Sequence, residues 1–293
     1  MVSFYALFIL NKASILVPLP LVKCFSFCCM RDGFKIILIF LAIQLLIAFI
    51  AMLPAKILPC LGQENANTWV ILLSMFTSDV LMLVYLYKGG YINKKEKQTW
   101  SPISTKFLLF SILITFPVIF LLDYLLSLLA WLPNIMEQEF DRLLSNWFGV
   151  VLIALLGPVF EEILFRGAIT KVLLKQYSPV KAIVISALIF GIIHWNPVQI
   201  VGGGFFGLLL AWIYYKTGSL LPGILIHIIN NSLSVFFNKV YPDTDYIKNI
   251  VNERTFYILF ALSVVLLIGV YWKIKTTTLP PPNWREKEKE LTI

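Results

Sequence analysis

Charge is scarce in this chain. Asp, Glu, Lys and Arg make up 14% of its 293 residues, where soluble domains carry about 25%. Histidine occurs twice, and the four cysteines do not fall into pairs. Each shortage excludes something. A chain that is 59% hydrophobic and so poor in charge is no ordinary soluble globular domain. The net charge of +8 comes from lysines scattered through loops rather than from a folded basic domain, so no nucleic acid is expected as a partner. Cys24, Cys28 and Cys29 cluster near the start and Cys60 stands alone, a spacing that suits neither a disulfide framework nor a metal knuckle. No Ser or Cys sits in a nucleophile elbow, and no His-Glu-x-x-His pair is present. Gly202-Gly203-Gly204 lacks the strand-turn-helix frame and the Lys of a phosphate loop, and reads instead as a close helix contact. The alternating segments of a β-barrel are missing too.

What the chain has is long apolar runs. They fall near 35–54, 67–88, 107–132, 147–174, 180–196, 198–216, 219–240 and 255–273, and most reach the roughly 20 residues that a helix needs to span a bilayer. The sequence predicts an all-α, polytopic transmembrane bundle of about eight helices. Residues 1–30 read as an extension ahead of a natural start at Met30-Arg31-Asp32. Residues 31–276 form the membrane domain, and 277–293 a Pro-rich, mixed-charge tail expected to be disordered. Lysines concentrate in alternate loops, at Lys88 and Lys94–Lys97, at Lys171–Lys181, at Lys216 and at Lys273–Arg285. That alternation places both termini in the cytoplasm of a cell-membrane protein.

Against this background three charges stand out, in Gly157-Pro158-Val159-Phe160-Glu161-Glu162-Ile163-Leu164-Phe165-Arg166. An ionised group at bilayer depth costs ~2.5–3.5 kcal/mol on insertion scales, and such residues read by default as functional. Glu162 and Arg166, four apart, share a helix face and are expected to pair. Glu161 points about 100° away and is left for another task. Pro158 loosens the helix one turn earlier. The only two histidines lie in apolar segments: His194 closes Phe190-Gly191-Ile192-Ile193-His194, and His227 shares a face with Asn231. Such a set can hydrolyse an amide in two ways. In one, Glu161 takes a proton from a water that His194 also holds, while His227 and Asn231 donate to the oxyanion. In the other, Glu161, His194 and His227 bind a divalent metal such as zinc, with one position left for water.

The ordered set Glu-Glu-x-x-x-Arg, Phe-x-x-x-His and His-x-x-x-Asn, on separate apolar segments, resembles the CAAX-protease and bacteriocin-processing (CPBP, or Abi) family of intramembrane endopeptidases. The resemblance covers residues 147–240, read as the catalytic core, and extends to Phe165-Arg166-Gly167 and Leu221-Pro222-Gly223-Ile224. It implies a site in a membrane cavity, with Glu161 and His194 activating water, His227 and Asn231 at the oxyanion, and Glu162 and Arg166 in support. It implies cleavage of a membrane-associated peptide or protein, prenylated and CAAX-like or bacteriocin-related, among membrane lipid. It leaves a metal cofactor and a metal-free mechanism both open, and no copy number is implied. Two other functions fit part of the pattern: a non-catalytic immunity or partner protein, and a proton-coupled transporter that adds Asp79 and Asp123 to the path. No inverted repeat supports the transporter.

Overall fold

A computed structural model describes residues 31–57, 63–92, 99–276 and 284. The expected extension at 1–30 and most of the tail lie outside these residues. Among the described residues there is no strand beyond an isolated bridge between Trp100 and Ser219. The chain is all-α, as its apolar runs require. The helices are α1 (Arg31–Ile57), α2 (Gln63–Lys88), α3 (Thr105–Leu128), α4 (Glu137–Leu144), α5 (Trp147–Gln176), α6 (Pro179–Ile192), α7 (Pro197–Thr217), α8 (Leu220–Val240), α9 (Ile247–Ile250) and α10 (Glu253–Thr276). Seven of the described helices are long and apolar enough to cross a membrane, and α6 is a shorter apolar one. The eight predicted segments are all present. The short helices α4 and α9 add to them.

Three clusters of buried side chains hold most of the bundle. The largest joins Ile36 and Phe40 of α1, Met82 and Leu86 of α2, Leu164 and Phe165 of α5, Phe190 of α6, Tyr214 of α7 and Leu220 of α8. A second joins α3, α7, α8 and α10 through Phe107, Phe206, Ile226 and Val270. A third packs Leu72 and Met75 of α2 against Met136, Leu143 of α4 and Leu152 of α5. The outward faces of α1 and α10 keep Leu38, Phe49, Leu262 and Val265 exposed, which suits a surface solvated by lipid. Trp284, the one described tail residue, is buried. Its ring lies 5.3 Å from that of Tyr214, and its indole N–H donates to the Tyr215 carbonyl.

Two local features position the site. The first is the α6–α7 hairpin. Helix α6 has 14 residues, about 21 Å at 1.5 Å per residue, well short of a ~30 Å hydrocarbon core. The sequence carries this segment on to 196. The structure ends it at Ile192, and a tight turn with Trp195 at φ 55° carries the chain into α7 at Pro197. The depth of the site residues follows. Glu161 lies fifteen residues before the end of α5 at Gln176, and His194 lies fifteen after the start of α6 at Pro179. Both are thus the same number of residues from the turn between α5 and α6, and the short helix brings them to a similar depth. The hairpin closes through glycine. A Cβ on Gly191 would meet the Ile200 carbonyl oxygen at 2.5 Å and the Gly204 nitrogen at 3.0 Å, and one on Gly207 would meet Ala187 at 3.2 Å.

The second feature is the winding of α5. Its hydrogen-bond ladder widens to π geometry over Leu152–Leu156 and again over Ile163–Thr170, on either side of the segment Gly157–Glu162. Such widened turns are frequent at functional sites. In the first, the Gly157 N–H reaches back five residues to the Leu152 carbonyl. The next such donor would be residue 158, bonding Ile153, but Pro158 has no N–H. The Ile153 carbonyl is therefore left for a partner from outside the helix.

The hairpin seam is testable. Gly191→Ala should lower the stability of the bundle by about 1–3 kcal/mol, because the added methyl meets backbone that cannot yield. Gly204→Ala, where a Cβ meets nothing within 4 Å, should be neutral. Thermal unfolding of both variants in detergent measures the difference, and equal midpoints would contradict the close seam.

Candidate active site

Glu162 is the centre of the polar cluster. Its side chain is fully buried, and Oε1 accepts from two groups: Arg166 Nη1 at 2.8 Å and His227 Nδ1 at 3.0 Å. The first contact is the pair expected from the four-residue spacing. The second was not legible, since it joins residues 65 apart on α5 and α8. Arg166 is buried as well. Nη2 donates to the Gly207 carbonyl of α7 at 3.3 Å, and the guanidinium stands 4.4 Å from the centre of the Phe190 ring of α6. A cation over an aromatic face in a desolvated place is attracted by about 2 kcal/mol. One carboxylate and one guanidinium thus tie α5, α6, α7 and α8 together. Gly223 makes room for this arrangement: a Cβ there would stand 2.7 Å from Glu162 Oε2.

His227 lies between the two glutamates. With Nδ1 on Glu162, its Nε2 faces Glu161 Oε2 at 3.7 Å. A carboxylate behind an imidazole fixes the ring's orientation and its proton position. Glu161 has about 12% of its side chain exposed, whereas Glu162 has none, so the two adjacent acids differ in what can reach them. The outward one is Glu161, as its position around the helix suggested.

His194 sits in the turn after α6, not within a helix. Its Nδ1 lies 2.6 Å from the Phe190 carbonyl. A carbonyl only accepts, so Nδ1 carries the hydrogen and Nε2 keeps its lone pair. Gly203 packs beside the ring. Phe190 stands edge-on to both histidines, with centroids 5.1 Å from His194 and 5.7 Å from His227. The two rings and Glu161 are within electrostatic range of one another. Phe190 was part of the sequence pattern without a task; the structure makes it the wall shared by Arg166, His194 and His227. Phe206 flanks His227 at 5.6 Å.

Asn231 donates from Nδ2 to the Ile153 carbonyl at 3.0 Å and accepts at Oδ1 from Asn230. That carbonyl is the one Pro158 leaves open. Asn231 therefore ties α8 to the widened turn of α5, with the second amide hydrogen remaining. The three candidate metal ligands do not gather into a binding set. Among the described residues no group of three His, Cys, Asp or Glu side chains is placed to hold a metal ion. His227 Nδ1 is engaged by Glu162 and His194 Nδ1 by a carbonyl, which leaves the Nε2 atom of each ring as its donor. The donors as arranged do not fit a three-ligand centre. Of the two further acids, Asp123 accepts from the Ile247 N–H at 3.0 Å and secures α9 to α3. Asp79 is buried on α2.

Loss of Arg166 should be severe. Arg166→Leu leaves Glu162 buried without its cation, a change that costs roughly 3–5 kcal/mol in protein interiors. Arg166→Lys keeps the charge but not the fork and should fall between. Unfolding midpoints in detergent check the order, and an Arg166→Leu protein as stable as the wild type would contradict the assignment of Glu162 as a charged hub.

Comparison with known proteins finds likeness over the segment that contains this cluster. The family described as "Type II CAAX prenyl endopeptidase Rce1-like" matches residues 143–233, which contain every residue of the cluster. The "Putative membrane peptidase YdiL" of Bacillus subtilis (strain 168) is 27% identical over 99 residues, 34% of this chain. The match spans 40% of that relative's length. No solved structure matches. These matches support a likeness to the CPBP family through the segment that carries the two glutamates, two histidines and asparagine.

Proposed function

We propose that the protein is an intramembrane endopeptidase that hydrolyses a peptide bond of a membrane-associated peptide or protein by glutamate-activated water. The observation that carries this reading is the placement of His227 between a closed glutamate and an accessible one, level with a second histidine of fixed tautomer. Glu161 accepts a proton from water, which His194 holds through its Nε2 lone pair. The water oxygen adds to the scissile carbonyl carbon, and the carbonyl oxygen takes the charge. His227 Nε2 and the remaining Asn231 amide hydrogen donate to that oxyanion. To donate from Nε2 while Nδ1–H stays on Glu162, the ring must carry two protons, and the glutamates on either side supply the balancing charge. Collapse breaks the C–N bond, and the leaving nitrogen takes the proton from Glu161. Glu162 and Arg166 hold His227 and the helices in place. No step is routed through a metal, since the donor set does not converge.

The substrate class proposed is a prenylated CAAX-like or bacteriocin-related chain reaching the site from the bilayer of the cell membrane, with both termini of the enzyme in the cytoplasm. The family description supports the first of these substrates in name.

Cleavage of a panel of membrane-associated peptides by the detergent-purified protein tests the reading. Glu161→Gln should lower kcat at least ~10²-fold while leaving the unfolding midpoint unchanged. His194→Ala should do the same, and activity should survive a chelator. Chelator-sensitive activity would restore the metal alternative. A wild-type protein that cleaves nothing while still protecting cells from a bacteriocin would favour the immunity role instead.

A further inference from the structure

Asp79 takes no part in the mechanism above, yet it has few reasons to be where it is. It lies on α2 with 2% exposure, and its Oδ2 has no hydrogen-bond partner. Neighbouring hydroxyls do not turn to it: Ser78 donates to the Ser74 carbonyl, and Ser74 to that of Val70. Buried polar groups in proteins are almost always paired, and one left alone costs free energy that a methyl-bearing side chain would not.

Its surroundings locate it. Along α2, Phe76 stands one turn before Asp79 and Met82 one turn after. Phe76 meets Phe160 of α5 edge-on, with centroids 6.2 Å apart. Met82 packs in the cluster that contains Leu164 and Phe165 of α5. Asp79 therefore lies on α2 between a residue that meets Phe160, just before Glu161, and one buried in the same cluster as Leu164 and Phe165, just after Glu162. Among the described side chains, Glu161 is the charged group that acts on it electrostatically.

We propose that Asp79 is a positioning residue for Glu161, a second carboxyl set across the α2–α5 seam that orients the water-activating glutamate. Two facing carboxyls interact through one shared proton, O–H···O, and paired acids of this kind carry out acid–base work in other folds. One oxygen of Glu161 is directed at His227 Nε2. A hydrogen bond from Asp79 across the seam would fix the rotation of the Glu161 carboxyl and leave a defined oxygen for water. Such contacts are commonly long in a resting site and tighten during turnover. The proposal rests on the hydrolytic reading above.

The test separates function from fold by the sign of two effects. Full-length Asp79→Asn and Asp79→Leu proteins are compared with the wild type for cleavage and for unfolding midpoint. A positioning role gives a kcat at least tenfold lower with KM within twofold, and a midpoint that is unchanged for Asp79→Asn and unchanged or raised for Asp79→Leu. Asp79→Glu, which keeps the acid, should recover part of kcat. Both variants cleaving within twofold of wild type would overturn the proposal and leave the peptidase reading intact. Parallel loss of activity and midpoint in both would assign Asp79 to the fold alone, and also overturn it. A wild type with no cleavage would overturn both readings.

Discussion

A buried carboxylate must be balanced locally, and in this protein that requirement organises everything around Glu162. Water cannot screen the charge at its depth, so attraction to a cation falls off slowly and an uncompensated charge is expensive. Arg166 supplies the cation from the next turn of the same helix, and the guanidinium then needs neighbours of its own. It finds a carbonyl on α7 and an aromatic face on α6. The second lone pair of the same carboxylate oxygen takes the imidazole of α8. The chain of demands runs outward from one group until four helices are joined. Hydrophobic contact alone could not specify it, because one apolar helix face slides past another at little cost in a lipid solvent.

Much of this was legible in the sequence, and the legible part has a physical pattern. Continuous apolar runs marked the seven helices long enough to span and the shorter apolar α6, because the bilayer imposes length and composition directly. The Glu162–Arg166 pair was legible because four residues make one turn of an ordinary helix. Contacts set by tertiary packing were not. Nothing in the spacing of Glu162 and His227 tells that they touch. The end of α6 at Ile192 was missed by four residues because Ile193 and Trp195 carry the apolar run up to Asn196-Pro197, and the left-handed backbone of Trp195 is set by the turn itself. The π turns of α5 left no mark except Pro158, which signals a lost donor but not the residue that replaces it.

The glycines show how packing and chemistry depend on each other. Gly191 and Gly207 let α6 and α7 approach until backbone meets backbone. That approach sets the Phe190 ring under Arg166 and between the histidines. Gly223 leaves the space occupied by the unpaired oxygen of Glu162. Each is a residue without a side chain, and each determines where a reactive side chain stands.

Pro158 carries a consequence of another kind. Because it cannot donate, Ile153 keeps a carbonyl for Asn231 on the neighbouring helix α8. Restoring that one hydrogen, by any ordinary residue at 158, would offer the carbonyl a partner within its own helix and turn the asparagine amide loose. The proline thus works as a remote rotamer lock: the proton it lacks on α5 determines which way a side chain on α8 points. Positions 158 and 231 accordingly act as a single unit, in which a change at one alters what the other is worth.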